Sequence, residues 1–155
     1  MGTVKFILHV LGWLVTIILQ VAVSYLIIFL FSILFAGADT TSRAGWLASL
    51  FIIWLGYIIG INLVGIPALR WVWKGVRLLP AQRLIGTAIG ALIPLLILIP
   101  IGFSVPVGDT GTQFYDLVTN NWQPVLAEAS VFIGIVGFYV PGVINLPASH
   151  PEGSN

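Results

Sequence analysis

The chain has 155 residues, of which 59% are hydrophobic and only 7% charged, against about 25% charged in a typical soluble domain. Too few charges remain to coat a core of this size in water, so a soluble globular domain is excluded and the expected solvent is lipid. With no cysteine, disulfides, thiolate chemistry and Cys-ligated metals are ruled out, and a formal net charge of +1 leaves no electrostatic footprint for nucleic acid.

A helix needs about 20 apolar residues to cross a hydrocarbon core of about 30 Å. Four stretches reach that length, at about residues 6–35, 46–69, 84–103 and 125–144. They are apolar on every face and lack the alternation of barrel strands, so helices are expected. The expected fold is an all-α integral-membrane protein. It forms one domain over residues 1–155, a four-transmembrane-helix bundle with short termini, a basic cytoplasmic connection and a longer outer loop.

The first span follows Lys5 and runs towards Ala36-Gly37-Ala38, which superficially resembles a secretory signal. Its apolar run is about twice the usual signal core, so it is expected to stay in the mature protein, tilted or projecting past the hydrocarbon. His9, Trp13, Thr16, Gln20 and Ser24 share one face that should avoid lipid and make contact inside the bundle or with another subunit. His9 reads as an interfacial hydrogen-bonding residue. The other histidine, His150, lies in the polar tail, so one chain cannot supply a pair of axial haem ligands inside the membrane.

In the second span Gly45, Ser49, Gly56, Gly60 and Pro67 form a small-residue stripe with a GxxxG pair at Gly56 and Gly60, the pattern that lets helix backbones approach in lipid. Asn62 points away from that stripe and reads as a local polar contact inside the bundle, with binding of a neighbour or a ligand as the alternative. The connection that follows carries Arg70, Lys74, Arg77 and Arg83 and no acid, which places it in the cytoplasm. Its cations interleave with Trp71 and Trp73. Arg70, Trp73, Lys74, Arg77 and Arg83 are therefore the expected lipid-headgroup contacts, facing anionic phospholipid.

The third span has a second GxxxG pair, Gly86 and Gly90, and contains Pro94 and Pro100, which should kink or end it. The loop after it, about Ser104 to Pro124, holds Asp109 and Asp116 with no Lys or Arg, and offers Phe114, Tyr115, Leu117 and Trp122 as apolar anchors. It and the Asp39–Arg43 turn fall outside, while both termini fall in the cytoplasm, with a bacterial plasma membrane as the expected location. In the fourth span Ala127, Ser130, Gly134, Gly137 and Pro141 again form a small face. Glu128 is a carboxylate inside this span, a candidate for proton or ion work. The structural alternative is that it sits near the positive helix end and the outer interface, within reach of Arg43.

No P-loop, H-E-x-x-H, G-x-S-x-G or paired intramembrane carboxylate occurs, so no catalytic, metal or cofactor-binding residue is assigned. Contact with structural lipid, quinone or pigment would leave no such motif. The pattern reads as a non-catalytic accessory subunit of a larger integral-membrane assembly, of the electron-transfer or energy-transducing kind, acting in assembly, helix packing and lipid sealing beside other membrane subunits. The alternative is a small homo-oligomeric transporter or ion- or proton-conducting protein that uses Glu128.

Overall fold

A computed structural model describes residues 3–35, 43–71, 78–104 and 123–144. Every regular element among them is an α-helix: α1 Thr3–Leu34, α2 Arg43–Trp71, α3 Pro80–Ser104 and α4 Gln123–Ile144. All four are long and apolar enough to cross a membrane, the build of a multi-pass membrane protein. At about 1.5 Å per residue the 32 residues of α1 reach about 48 Å and the 22 of α4 about 33 Å, so the helices differ widely in length.

The beginning of α3 differs from the sequence expectation, which started the span near Leu84. The helix starts at Pro80, because a proline lacks only an N–H that the first turn leaves unpaired. The Arg83 N–H closes that turn on the Leu79 carbonyl at 3.0 Å. Leu79 enters the helix with φ of 39°, the left-handed region that costs a side-chain-bearing residue about 1–2 kcal/mol. Neither Pro94 nor Pro100 ends α3, and α2 and α4 likewise contain Pro67 and Pro141 within the helix. In an apolar surround, neighbouring helices can satisfy the carbonyls that such prolines disturb.

Successive helices pack antiparallel. The most extensive contact is between α3 and α4, followed by α1 with α2, whereas α1 touches α4 only slightly. Lipid provides no hydrophobic drive for this association, so it depends on close backbone approach and van der Waals contact. Gly86 and Gly137 stand backbone to backbone, and a Cβ on Gly90 would come within 2.5 Å of the Ile133 carbonyl oxygen. A Cβ on Gly134 would lie 3.2 Å from that of Ala91 and 3.0 Å from Ile61 Cδ1. Between α1 and α2, Gly60 seats Ser24 and Gly56 seats Ile28.

Tyr57, Ile61, Leu69, Ala91, Val131, Ile135 and Phe138 form the main buried cluster. Trp46, Leu50, Leu95 and Leu98 form a second one between α2 and α3. The outside is apolar along its length. Large side chains such as Phe6, Leu14, Ile18 and Phe29 on α1 or Val136 on α4 are about half exposed or more, a surface that suits hydrocarbon and not water.

Overpacking a tight contact costs about 1–3 kcal/mol, and more where the neighbour is backbone. Gly86→Val and Gly137→Val should each lower stability by at least about 3 kcal/mol, while Ile85→Val on the exposed side of α3 should change it by less than about 0.5 kcal/mol. Thermal unfolding in detergent measures both.

Candidate functional site

At the end of the bundle where α4 finishes, α3 places a cation inside the protein. Arg83 is 1% exposed. Its Nε donates to the Leu78 carbonyl at 2.6 Å and its Nη1 to the Phe138 carbonyl at 2.8 Å, and the guanidinium lies 5.1 Å from the centre of the Phe138 ring. Gly142 leaves room for it, since a Cβ there would come 2.7 Å from Nη2. This corrects the expectation that Arg83 meets lipid headgroups. Because α3 begins at Pro80, Arg83 is already helical and shares a face with Gly86, Thr87 and Gly90, so it turns into the α4 contact. There it ties the strained Leu78–Leu79 entry of α3 to the last turns of α4. Cations are favoured at that helix end, where carbonyls lose their partners.

The polar face of α1 is buried at Thr16, Gln20 and Ser24. Thr16 and Ser24 donate to carbonyls four residues back in their own helix, Gly12 and Gln20, both at 2.7 Å. Gln20, by contrast, bonds to other helices. Its Nε2 donates to the Ile61 carbonyl at 3.1 Å and its Oε1 accepts from the Tyr139 hydroxyl at 3.4 Å, so it links α1, α2 and α4. Trp13 adds a ring contact with Tyr139, with centroids 4.3 Å apart. His9 lies on the exposed part of α1, a turn before Trp13.

In α2, Asn62 is buried. Its Nδ2 donates to the Ile58 carbonyl at 2.9 Å, and its Oδ1 has no hydrogen-bond partner. Trp54 Nε1 donates across to the Ala88 carbonyl of α3 at 2.9 Å. Beside it Leu50, Phe51, Leu92 and Leu95 help to line an apolar groove of about 190 Å³, below the roughly 300–1,000 Å³ usual for a small-molecule pocket. Glu128 and Arg70 are exposed, and Arg43, also exposed, holds its guanidinium 5.4 Å from the centre of the Phe103 ring. Ser130 is buried against its own helix, donating to the Leu126 carbonyl at 2.7 Å.

Trp73, Lys74, Arg77, the loop anchors Phe114, Tyr115, Leu117 and Trp122, and His150 lie outside the described residues. Among the described residues no group of three or more His, Cys, Asp and Glu side chains could hold a metal ion. Of the polar groups above, Gln20, Trp54, Arg83 and Tyr139 link helices, whereas Thr16, Ser24, Asn62 and Ser130 donate to carbonyls of their own helix. Sequence reasoning missed Arg83 and Tyr139 as such links. The helical position of Arg83 on the Gly86 and Gly90 face was the available signal, whereas Tyr139 had none. No known protein family matches the chain, and no curated protein or solved structure matches it either.

A hydrogen bond from a charged group contributes about 1.5–3 kcal/mol, whereas interhelical polar contacts in a membrane average about 0.6 kcal/mol. Arg83→Met should therefore cost about 2–3 kcal/mol and Gln20→Leu about 0.6 kcal/mol in equilibrium unfolding in mixed micelles. Arg83→Lys should restore little, because a compact ammonium cannot span the Leu78 and Phe138 carbonyls as the guanidinium fork does.

Proposed function

We propose that this chain is a non-catalytic accessory subunit of a larger integral-membrane complex, one of the electron-transfer or energy-transducing kind, and that it works in assembly, helix packing and lipid sealing. The observation that carries this reading is the use of its polar side chains. Gln20, Trp54 and Arg83 all donate to backbone carbonyls of neighbouring helices, which leaves a rigid scaffold with an apolar exterior. The exterior supports the same reading, since α1 is packed chiefly on α2 and offers the rest of its length to lipid or to other membrane subunits.

In this reading both termini and the basic connection face the cytoplasm of a bacterial plasma membrane. Arg70, Trp73, Lys74 and Arg77 meet anionic headgroups there, while Arg83 serves the interior. The positive-inside asymmetry of the sequence supports that orientation: Arg70, Lys74, Arg77 and Arg83 stand at or between the facing ends of the second and third spans with no acid among them, and two acids without a cation stand in the long loop.

Gentle detergent extraction from the native membrane, followed by intact-complex mass spectrometry, tests the reading. The expected species contains this chain in fixed ratio with cofactor-bearing membrane subunits. A homo-oligomer free of other proteins contradicts it and favours the conducting alternative, in which Glu128→Gln should abolish ion or proton flux in liposomes.

A further inference from the structure

The apolar groove between α2 and α3 has a floor, a rim and two distinct ends. Leu50 and Leu95 form the floor, both buried, and the groove runs from Leu47 and Ile99 at one end to Trp54 and Leu92 at the other. Phe51, about half exposed, stands on the rim, so the groove opens towards the surrounding lipid. The Trp54 indole N–H is engaged by the Ala88 carbonyl and offers the groove no donor. A polar group inside would find nothing to bond to, so the lining suits hydrocarbon alone.

A cation stands at the Leu47 end. Arg43 precedes Leu47 by one helical turn on the same face of α2, and Phe103 follows Ile99 by one turn on α3. The two exposed side chains meet there, with the guanidinium 5.4 Å from the ring centre. Arg43 is also the first residue of the second apolar span, the depth at which headgroups lie. Glu128 belongs to the same end of the bundle but faces elsewhere. It follows Leu126, the α4 residue packed beside the groove, by two positions, about 200° around the helix. From Arg43 to Trp54 the rise is about 16 Å, close to the roughly 15 Å that is half of a hydrocarbon core. An exposed guanidinium thus heads an apolar channel one leaflet deep.

We propose that this groove holds one acyl chain of an anionic phospholipid whose phosphate is bound by Arg43. A guanidinium carries five N–H donors in a planar fork that matches phosphate, and its contact with Phe103 holds the fork at the mouth of the groove. A zwitterionic lipid brings its own cation next to its phosphate, so a positive mouth favours the anionic headgroup. The groove, about 190 Å³, is too narrow for a partner helix about 10 Å across and suits a single hydrocarbon chain. It lies at the opposite end of α2 from Arg70, and it is independent of the complex to which the chain belongs.

The test uses the full chain in phosphatidylcholine nanodiscs that carry a trace of a photoreactive lipid. The probe is phosphatidylglycerol or phosphatidylcholine with the same diazirine-bearing acyl chain, and labelled peptides are quantified by mass spectrometry. The phosphatidylglycerol probe should label residues 47–54 and 92–99 about tenfold more than the phosphatidylcholine probe, the difference that one charge-assisted contact brings. Arg43→Gln should lower its labelling to the phosphatidylcholine level, whereas Lys5→Gln, which removes the same charge from α1, should leave it unchanged. Leu92→Trp, which fills the groove, should remove labelling by both probes. Equal labelling by the two probes overturns the proposal and makes the groove a seat for any lipid chain. A preference that survives Arg43→Gln, or is lost equally in Lys5→Gln, overturns it too, as does labelling that survives Leu92→Trp. A groove that neither probe labels also overturns it, and a dimer in native mass spectrometry then assigns that face to a second copy. Should a variant not fold, the comparison of the two probes on the wild type decides.

Discussion

Helices in lipid gain nothing from hiding apolar side chains from one another, so this bundle depends on how closely its backbones can approach. The contact of Gly86 with Gly137 is the strongest instance, because any side chain at either position would run into the opposing carbonyl. Gly90 against Ile133 and Gly134 against Ala91 continue the same line, and together they make α3 and α4 the most tightly joined pair. α2 packs against that pair through Ile61 and the Trp46–Leu50 cluster, and α1 packs on α2 through Ser24 at Gly60.

Close approach also brings polar groups into an interior without water, and the way they are satisfied gives the bundle its fixed arrangement. Gln20, Trp54 and Arg83 donate across helices to the backbone carbonyls of Ile61, Ala88 and Phe138. Each acceptor lies within about two turns before a proline, Pro67, Pro94 and Pro141 respectively, but none is the carbonyl four residues back that the missing N–H leaves free. A carbonyl has two lone pairs, so it can accept from a neighbouring helix while keeping its own partner. Arg83 carries most of this burden at one end, because it also holds the left-handed entry of α3.

Much of the architecture was legible because it follows from composition and spacing. Four uncharged apolar runs near membrane thickness give four helices, and small residues three or four apart mark faces on which backbones can meet. The interior polar links were less legible. Arg83 resembles its neighbours Arg70, Lys74 and Arg77 in sequence, and only the start of α3 at Pro80 turns it from a loop cation into a buried one. Thr16 and Ser24 read as contact residues, yet their hydroxyls bond within α1 and Gln20 makes the link to α2 and α4. Tyr57 carries no pattern at all, since an aromatic residue in a uniformly apolar span has no periodicity to betray a buried hydroxyl. Function was least legible, because no motif in the sequence points to a particular chemistry.

The central claim is that α3 and α4 touch backbone to backbone inside the membrane, and the cysteine-free sequence allows a direct measurement. A disulfide needs Cβ atoms about 3.5–4.5 Å apart, and the Ala91 Cβ lies 3.2 Å from where that of Gly134 would stand, close enough to cross-link after a slight shift. The double variant A91C/G134C, oxidised in native membranes, should form an intramolecular disulfide in nearly every molecule, while I85C/V136C, with both sites on the exterior, should not. Absence of the A91C/G134C cross-link in protein that is inserted and folded would contradict the account.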